Sequence, residues 1–152
     1  MTQNESIRAF VSARPYPVPI ELRPLWRICL ILICISELGG DKQYLSVSKA
    51  NILVWMLIRK VRWNEYEGFL SGWTNEIPFV SADTATYKAV EFAIAKEFIR
   101  LEEGRLHITD SGIEVCNLLK DNEIMTAERE FLQNVGRKLT DNKIKRITGS
   151  LL

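Results

Sequence analysis

The sequence has 152 residues, 47% hydrophobic and 26% charged, which excludes a disordered or collagen-like chain and suits one globular domain with a short extension. Twenty Lys+Arg against nineteen Asp+Glu leave a net charge of +1, so no global charge draws the chain to nucleic acid or anionic membrane, and such binding requires a local patch. Cys29, Cys34 and Cys116 make an odd count without a C-x-x-C motif, which points to a reducing, cytoplasmic setting with neither a disulfide framework nor a zinc knuckle.

Residues 1–21 carry no helical or strand period and contain Pro15, Pro17 and Pro19. Alternate prolines fix φ and bias their predecessors to extended backbone, so this stretch reads as a polyproline-like arm. Ile7, Phe10, Val11, Tyr16, Val18 and Ile20 make it too apolar for a free linker. It is expected to lie against its own domain or a partner.

A first helix is expected from Leu22, with Pro24 tolerated in its first turn, to the stop at Gly39-Gly40. Its centre, residues 28–35 (ICLILICI), is unbroken apolar sequence. A membrane span needs roughly 20 such residues. Even residues 25–38 fall short of that and include Arg27, Ser36 and Glu37, and the long proline-bearing stretch before them does not fit a signal peptide. The segment therefore reads as the central helix of a globular core, without a membrane partner.

After a polar link at residues 41–43, Ser46 or Ser48 caps a second helix running to about Lys60, with Ile52, Leu53, Met56 and Leu57 at helical spacing. Arg59, Lys60 and Arg62 at its end suit the negative pole of the helix dipole. Residues 63–80, holding Trp63, Tyr66, Phe69 and Trp73 among Gly68, Gly72 and Pro78, read as one short helix and a loop. Asp83 or Thr84 caps a third helix ending near Phe98, with Tyr87, Val90, Ile94 and Phe98 on one face and Ala93 and Ala95 allowing close approach.

The run from Phe98 to Thr109 (FIRLEEGRLHIT) reads as strand, Glu103-Gly104 turn and strand, with Ile99 and Leu101 facing one way and Leu106 and Ile108 answering them. Thr109 or Asp110 then caps another helix with Ile113, Cys116 and Leu119 or Leu118 inward. Residues 121–152 form a helical extension in which Phe131, Leu132, Val135 and Leu139 share a stripe that Ile144, Ile147 and Leu151 continue.

Catalytic constellations are missing from the sequence. His107 is the sole histidine and has no cysteine near it, and no Gly-rich loop is followed by Lys-Ser/Thr. Glu65/Glu67 and Glu102/Glu103 have the look of solvated loop charges. The chain is therefore expected to be no enzyme, with no cofactor, no metal site and no small-molecule substrate.

The order of three helices, a two-stranded wing and a helix, with a Thr-x-x-Gly start to the last, resembles winged helix-turn-helix domains over residues 22–120. The resemblance implies an α+β fold, mainly α with a small β wing, flanked by the arm (residues 1–21) and the C-terminal extension (residues 121–152). Winged helices serve both DNA readers and protein-binding subunits. A reader places its third helix in the major groove and needs basic charge there. Here residues 83–98 set Lys88 and Lys96 against Asp83, Glu91 and Glu97, and residues 100–110 set Arg100 and Arg105 against Glu102, Glu103 and Asp110, each a net of −1. Residues 128–152 are instead basic, with Arg129, Arg137, Lys138, Lys143, Lys145 and Arg146 against three acidic residues. Lys143, Lys145 and Arg146 are thus the candidates for nucleic-acid backbone contact.

The arm ARPYPVPI leading into LRPLWRICLIL, the helix over residues 48–59 and the wing look like the small middle subunits of three-component, SMC-like ABC-ATPase phage-defence systems of the Lamassu type. That resemblance implies an accessory subunit bound to an SMC-like or Rad50-like ATPase and to an effector, usually a nuclease, with DNA met through the complex. Four tryptophans are many for this length, and Tyr16, Trp63, Phe69 and Trp73 are the candidate partner-binding aromatics. The alternative is a winged-helix transcriptional regulator, against which the acidic third helix counts. An antitoxin-like protein or adaptor is a third possibility.

Overall fold

A computed structural model describes residues 23–81 and 83–149. The arm with Tyr16, Leu22 and Leu151 lie outside the described residues. Among those described, seven α-helices surround a three-stranded antiparallel sheet.

Helix α1 (Pro24–Leu38) is the axle of the fold, and every residue from Arg27 to Ile35 is buried. It packs against four other helices and two strands, which explains a helix with no polar face. Pro24 sits in its first turn, where no intrahelical N–H is needed. Gly39 ends it, because a Cβ there would lie 2.5 Å from the Ile35 carbonyl oxygen and 2.9 Å from Tyr44 N.

The link after α1 holds an element that the sequence pattern does not announce. Strand β1 (Tyr44–Ser46) pairs antiparallel with residues 105–107, Leu45 opposite Leu106. Ser46 closes β1 and caps α2 (Val47–Ile58), accepting from Lys49 N at 3.1 Å. Then come α3 (Trp63–Leu70), the loop of residues 71–81, and α4 (Thr84–Ala95), whose first turn Asp83 caps by accepting from Ala85 N.

Helix α4 buries a different face from the expected one. Thr86, Ala89 and Ala93 point inward, while Tyr87 is exposed and Val90, Ile94 and Phe98 are half-buried. Small residues let α4 lie close against α1, so the larger residues are displaced to the flanks. The helix also stops three residues short of Phe98. Phe98 N bonds the Ala93 carbonyl and Glu97 N bonds that of Ile94, with Glu97 left-handed at φ 63°, a Schellman ending without its usual glycine.

Strands β2 (Ile99–Glu102) and β3 (Arg105–Ile108) form the hairpin, giving the sheet order β1-β3-β2. Positive φ at both Glu103 and Gly104 makes its turn type I′. Ile99 and Leu101 stand opposite Ile108 and Leu106 in the hairpin register, with Ile99 buried and Leu101 half exposed. Thr109 caps α5 (Asp110–Asp121) by accepting from Gly112 N. Gly112 is pressed so near the Phe98 carbonyl and the Ile108 side chain that no Cβ fits there.

Helices α6 (Thr126–Val135) and α7 (Asp141–Thr148) complete the chain. Phe131, Leu132, Val135, Leu139 and Ile147 join the same buried cluster as α1. The C-terminal extension is thus built into the core. All three cysteines are free and buried. No helix among the described residues is long and apolar enough to cross a membrane.

Candidate docking surface

The four aromatic residues nominated as partner-binding have different fates. Tyr16 lies outside the described residues. Phe69 is 1% exposed and belongs to the core, so its nomination is corrected: α3 turns it inward beside Tyr66 and Leu70. Trp63 is half-buried, stacks 4.7 Å from Phe131 between ring centroids and donates from Nε1 to the Met56 carbonyl at 2.8 Å. Its polar atom and one ring face are therefore engaged inside the chain. Trp73 is 74% exposed.

Trp73 stands on a loop with defined attachments. Ser71 N, Gly72 N and Trp73 N bond the carbonyls of Glu67, Phe69 and Gly68, with Gly72 at φ 79°. From the other side α7 holds the loop. Lys143 Nζ donates to the Leu70 carbonyl at 2.6 Å and to that of Lys138 at 3.1 Å, and Lys138 Nζ donates to Ser71 Oγ. Arg146 donates to the Asn75 carbonyl and lies 5.1 Å from the Phe69 ring centroid. Of the three basic residues nominated for nucleic-acid contact, Lys143 thus bonds the end of α3 where the loop begins, Arg146 bonds the loop itself, and Lys145 is the exposed one. Spacing alone exposes a charge cluster on a short helix but gives no sign of carbonyls 70 residues away.

The same loop carries Ile77 and Phe79, 49% and 76% exposed, neither of which stood out in the sequence. Phe79 meets Trp55 edge-to-face at 5.8 Å, and the Arg59 guanidinium lies 3.2 Å over the Trp55 ring while donating to its carbonyl. A cleft of about 340 Å³ opens between Trp55, Arg59, Arg62, Glu65, Tyr66 and Phe79. Behind its walls Trp55 Nε1 and Tyr66 Oη are buried away from solvent, with no hydrogen bond of ordinary geometry. Burial pushes the Tyr66 phenol up, opposed by the Arg59 charge and the nearby Trp55 indole N–H, while burial lowers Arg59. Pro78 marked this stretch as irregular, but nothing in the sequence joined Phe79 to Trp55.

A second cleft, of about 410 Å³, adjoins the first through Arg59 and is bounded by Trp26, Val61, Lys60 and Glu128. Glu128, almost fully buried, pairs with Lys60 at 3.2 Å.

Helix α4 and the β2–β3 hairpin present a mixed surface. Tyr87 and Phe92 are exposed on α4 beside Lys88, Glu91 and Lys96. On the wing Arg100 pairs with Glu102, and Arg105 lies over the Tyr44 ring. His107 packs against Tyr44 at 5.1 Å. Among the described residues no group of three or more His, Cys, Asp and Glu side chains could hold a metal ion. No protein-family model, curated protein or solved structure matches the chain.

Proposed function

We propose that this chain is a non-catalytic winged-helix accessory subunit that docks on an SMC-like or Rad50-like ATPase and its effector nuclease in a cytoplasmic anti-phage complex, meeting DNA through that complex. The winged-helix reading is supported by the order α1, β1, α2, α4 and hairpin, with β3 central between β1 and β2. Helix α3 is then an insertion ahead of the third helix.

The observation that carries the docking role is the exposed pair Trp73 and Ile77 on a loop clamped by Lys143 and Arg146. Large apolar side chains held in place in water lose little entropy on binding, which is the behaviour of interface anchors. Tyr87 and Phe92 on α4, beside Glu91, favour a protein partner for that helix over phosphates. Co-expression with an SMC-like ATPase encoded beside this chain tests the reading. The expected result is a stable complex that Trp73→Ala with Ile77→Ser disrupts. A sequence-specific DNA footprint abolished by Lys88→Glu, with no ATPase bound, would establish the regulator instead.

A further inference from the structure

We propose that the free edge of β2 is a self-pairing surface, at which a second copy of this chain adds its own β2, antiparallel and centred on Leu101, to make a weak dimer. The inference is independent of the ATPase reading, because this edge is a different surface from the loop that carries Trp73 and Ile77.

The ladder fixes which backbone groups face outward. Strand β3 lies between β1 and β2, so β2 has no strand on its other side among the described residues. Thr109 N bonds the Phe98 carbonyl, and the same register sets His107 opposite Arg100 and Arg105 opposite Glu102. Hydrogen-bonded pairs alternate along an antiparallel ladder, so Phe98, Arg100 and Glu102 turn their N–H and C=O groups to β3 while Ile99 and Leu101 turn theirs away. Ile99 is buried and Leu101 is half exposed, which leaves the Leu101 N–H and C=O as the open bonding groups of the edge. Such an edge is a template for another strand. A cleft of about 610 Å³, lined by Ile94, Glu97, Ile99, Leu101 and Thr109 among others, lies beside it and leaves room for an incoming hairpin.

The charge pattern selects the occupant and its register. Two copies that use the same patch are related by a two-fold axis, which makes the added strand antiparallel. With Ile99 buried, the axis passes through Arg100, Leu101 or Glu102. Centred on Arg100 it opposes two arginines, and centred on Glu102 two glutamates. Centred on Leu101 it bonds the two Leu101 backbones to each other and sets Arg100 of each copy against Glu102 of the other. Those are non-hydrogen-bonded positions, where cross-strand side chains lie closest and opposite charges stabilise. The strand is therefore complementary to itself in one register alone. Within one chain Arg100 and Glu102 already pair at 3.0 Å, with 61% and 55% of their side chains exposed. An exposed pair contributes little, so it yields to the pairing between copies at small cost.

The test is sedimentation velocity of the full chain over a concentration series, with Arg100→Glu, Glu102→Arg and an equimolar mixture of the two variants. The expected result for the wild type is a dimer that grows with concentration. Each variant alone sets like charges together at both positions and should weaken the dimer about tenfold or more. The mixture should recover it, because every charge then meets its opposite across the two copies. Both substitutions are at exposed positions that spare the core, and recovery in the mixture shows that both variants are folded. A wild type that stays monomeric throughout the series overturns the proposal. A dimer that persists in both single variants, or one that the mixture fails to restore, overturns it equally.

Discussion

Arg27 and Asp83 form an ion pair at 2.7 Å with side chains only 6% and 18% exposed, joining the first turns of α1 to the start of α4. Thr86 completes the triangle, accepting from Arg27 at 3.1 Å and donating to Asp83 at 3.2 Å. Asp83 also caps α4, so one carboxylate sets both the position and the beginning of that helix. A charge in α1 that argued against a membrane span has its structural partner 56 residues away.

Removing one partner of a buried pair leaves the other charge uncompensated, which costs about 3–5 kcal/mol. Asp83→Ala loses the cap as well and should lower the urea midpoint of the full chain most. Arg27→Met replaces the charge with an apolar group of similar length and should cost less than Asp83→Ala. Equal losses in the two variants would show that the cap and the stranded charge add nothing.

The buried thiols titrate high. Burial pushes Cys116 up to about 11, with the Ser36 hydrogen bond opposing, and raises Cys29 and Cys34 as well. Each is neutral in the native state, so the associated stability is fully present below the ordinary thiol value and is lost as pH rises through the native one. Thermal midpoints should therefore be insensitive to these groups below pH 9 and fall between about 9 and 11, less steeply in Cys116→Ala. At pH 8 a thiol reagent should label the native chain slowly and all three cysteines rapidly in urea.

Lys143 separates a structural role from a nucleic-acid one. Lys143→Met removes the donor to the Leu70 and Lys138 carbonyls and should cost about 1.5–3 kcal/mol, the range for charge-assisted bonds. Hydrogen exchange at residues 71–77 should quicken. Lys145→Met should change neither stability nor exchange. If Lys143→Met alters only salt-sensitive DNA binding, the clamp assigned to it is wrong.

Close approach of α4 to α1 depends on Ala89 and Ala93, both with no exposed surface. Ala89→Leu should cost about 1–3 kcal/mol by overpacking, whereas Val90→Leu on the half-buried flank should be nearly neutral. Urea unfolding of the two variants measures the difference.

Local chemistry explains what was legible in the sequence. Ser46, Asp83, Thr109 and Thr140 cap helices because a side-chain oxygen beside the first turn is a short-range requirement, and the residue pattern narrows the first three to Ser46 or Ser48, Asp83 or Thr84, and Thr109 or Asp110. The all-apolar run of α1 and the Glu103-Gly104 turn are legible for the same reason. Strand β1 is not, because three residues with one buried side chain, Leu45, carry no period of their own and depend on β3 for their hydrogen bonds. On α4 the close approach expected at Ala93 is present and that at Ala95 is not, while the face of Tyr87, Val90, Ile94 and Phe98 is displaced to the flank because contact distance favours the small residues Ala89 and Ala93. The site suffered most: Phe69 and Trp73 are four residues apart, one core and one exposed, and the helix end between them decides which.

The proposed accessory role is tested most directly by the affinity of the purified full chain for the purified SMC-like ATPase, measured by isothermal titration with Trp73→Ala/Ile77→Ser and Lys88→Glu alongside. Docking through the clamped loop requires at least tenfold weaker binding for the loop variant, an unchanged circular dichroism spectrum, and no effect of Lys88→Glu. No measurable affinity for the ATPase, or equal affinity in the loop variant, would refute the accessory role proposed for this chain.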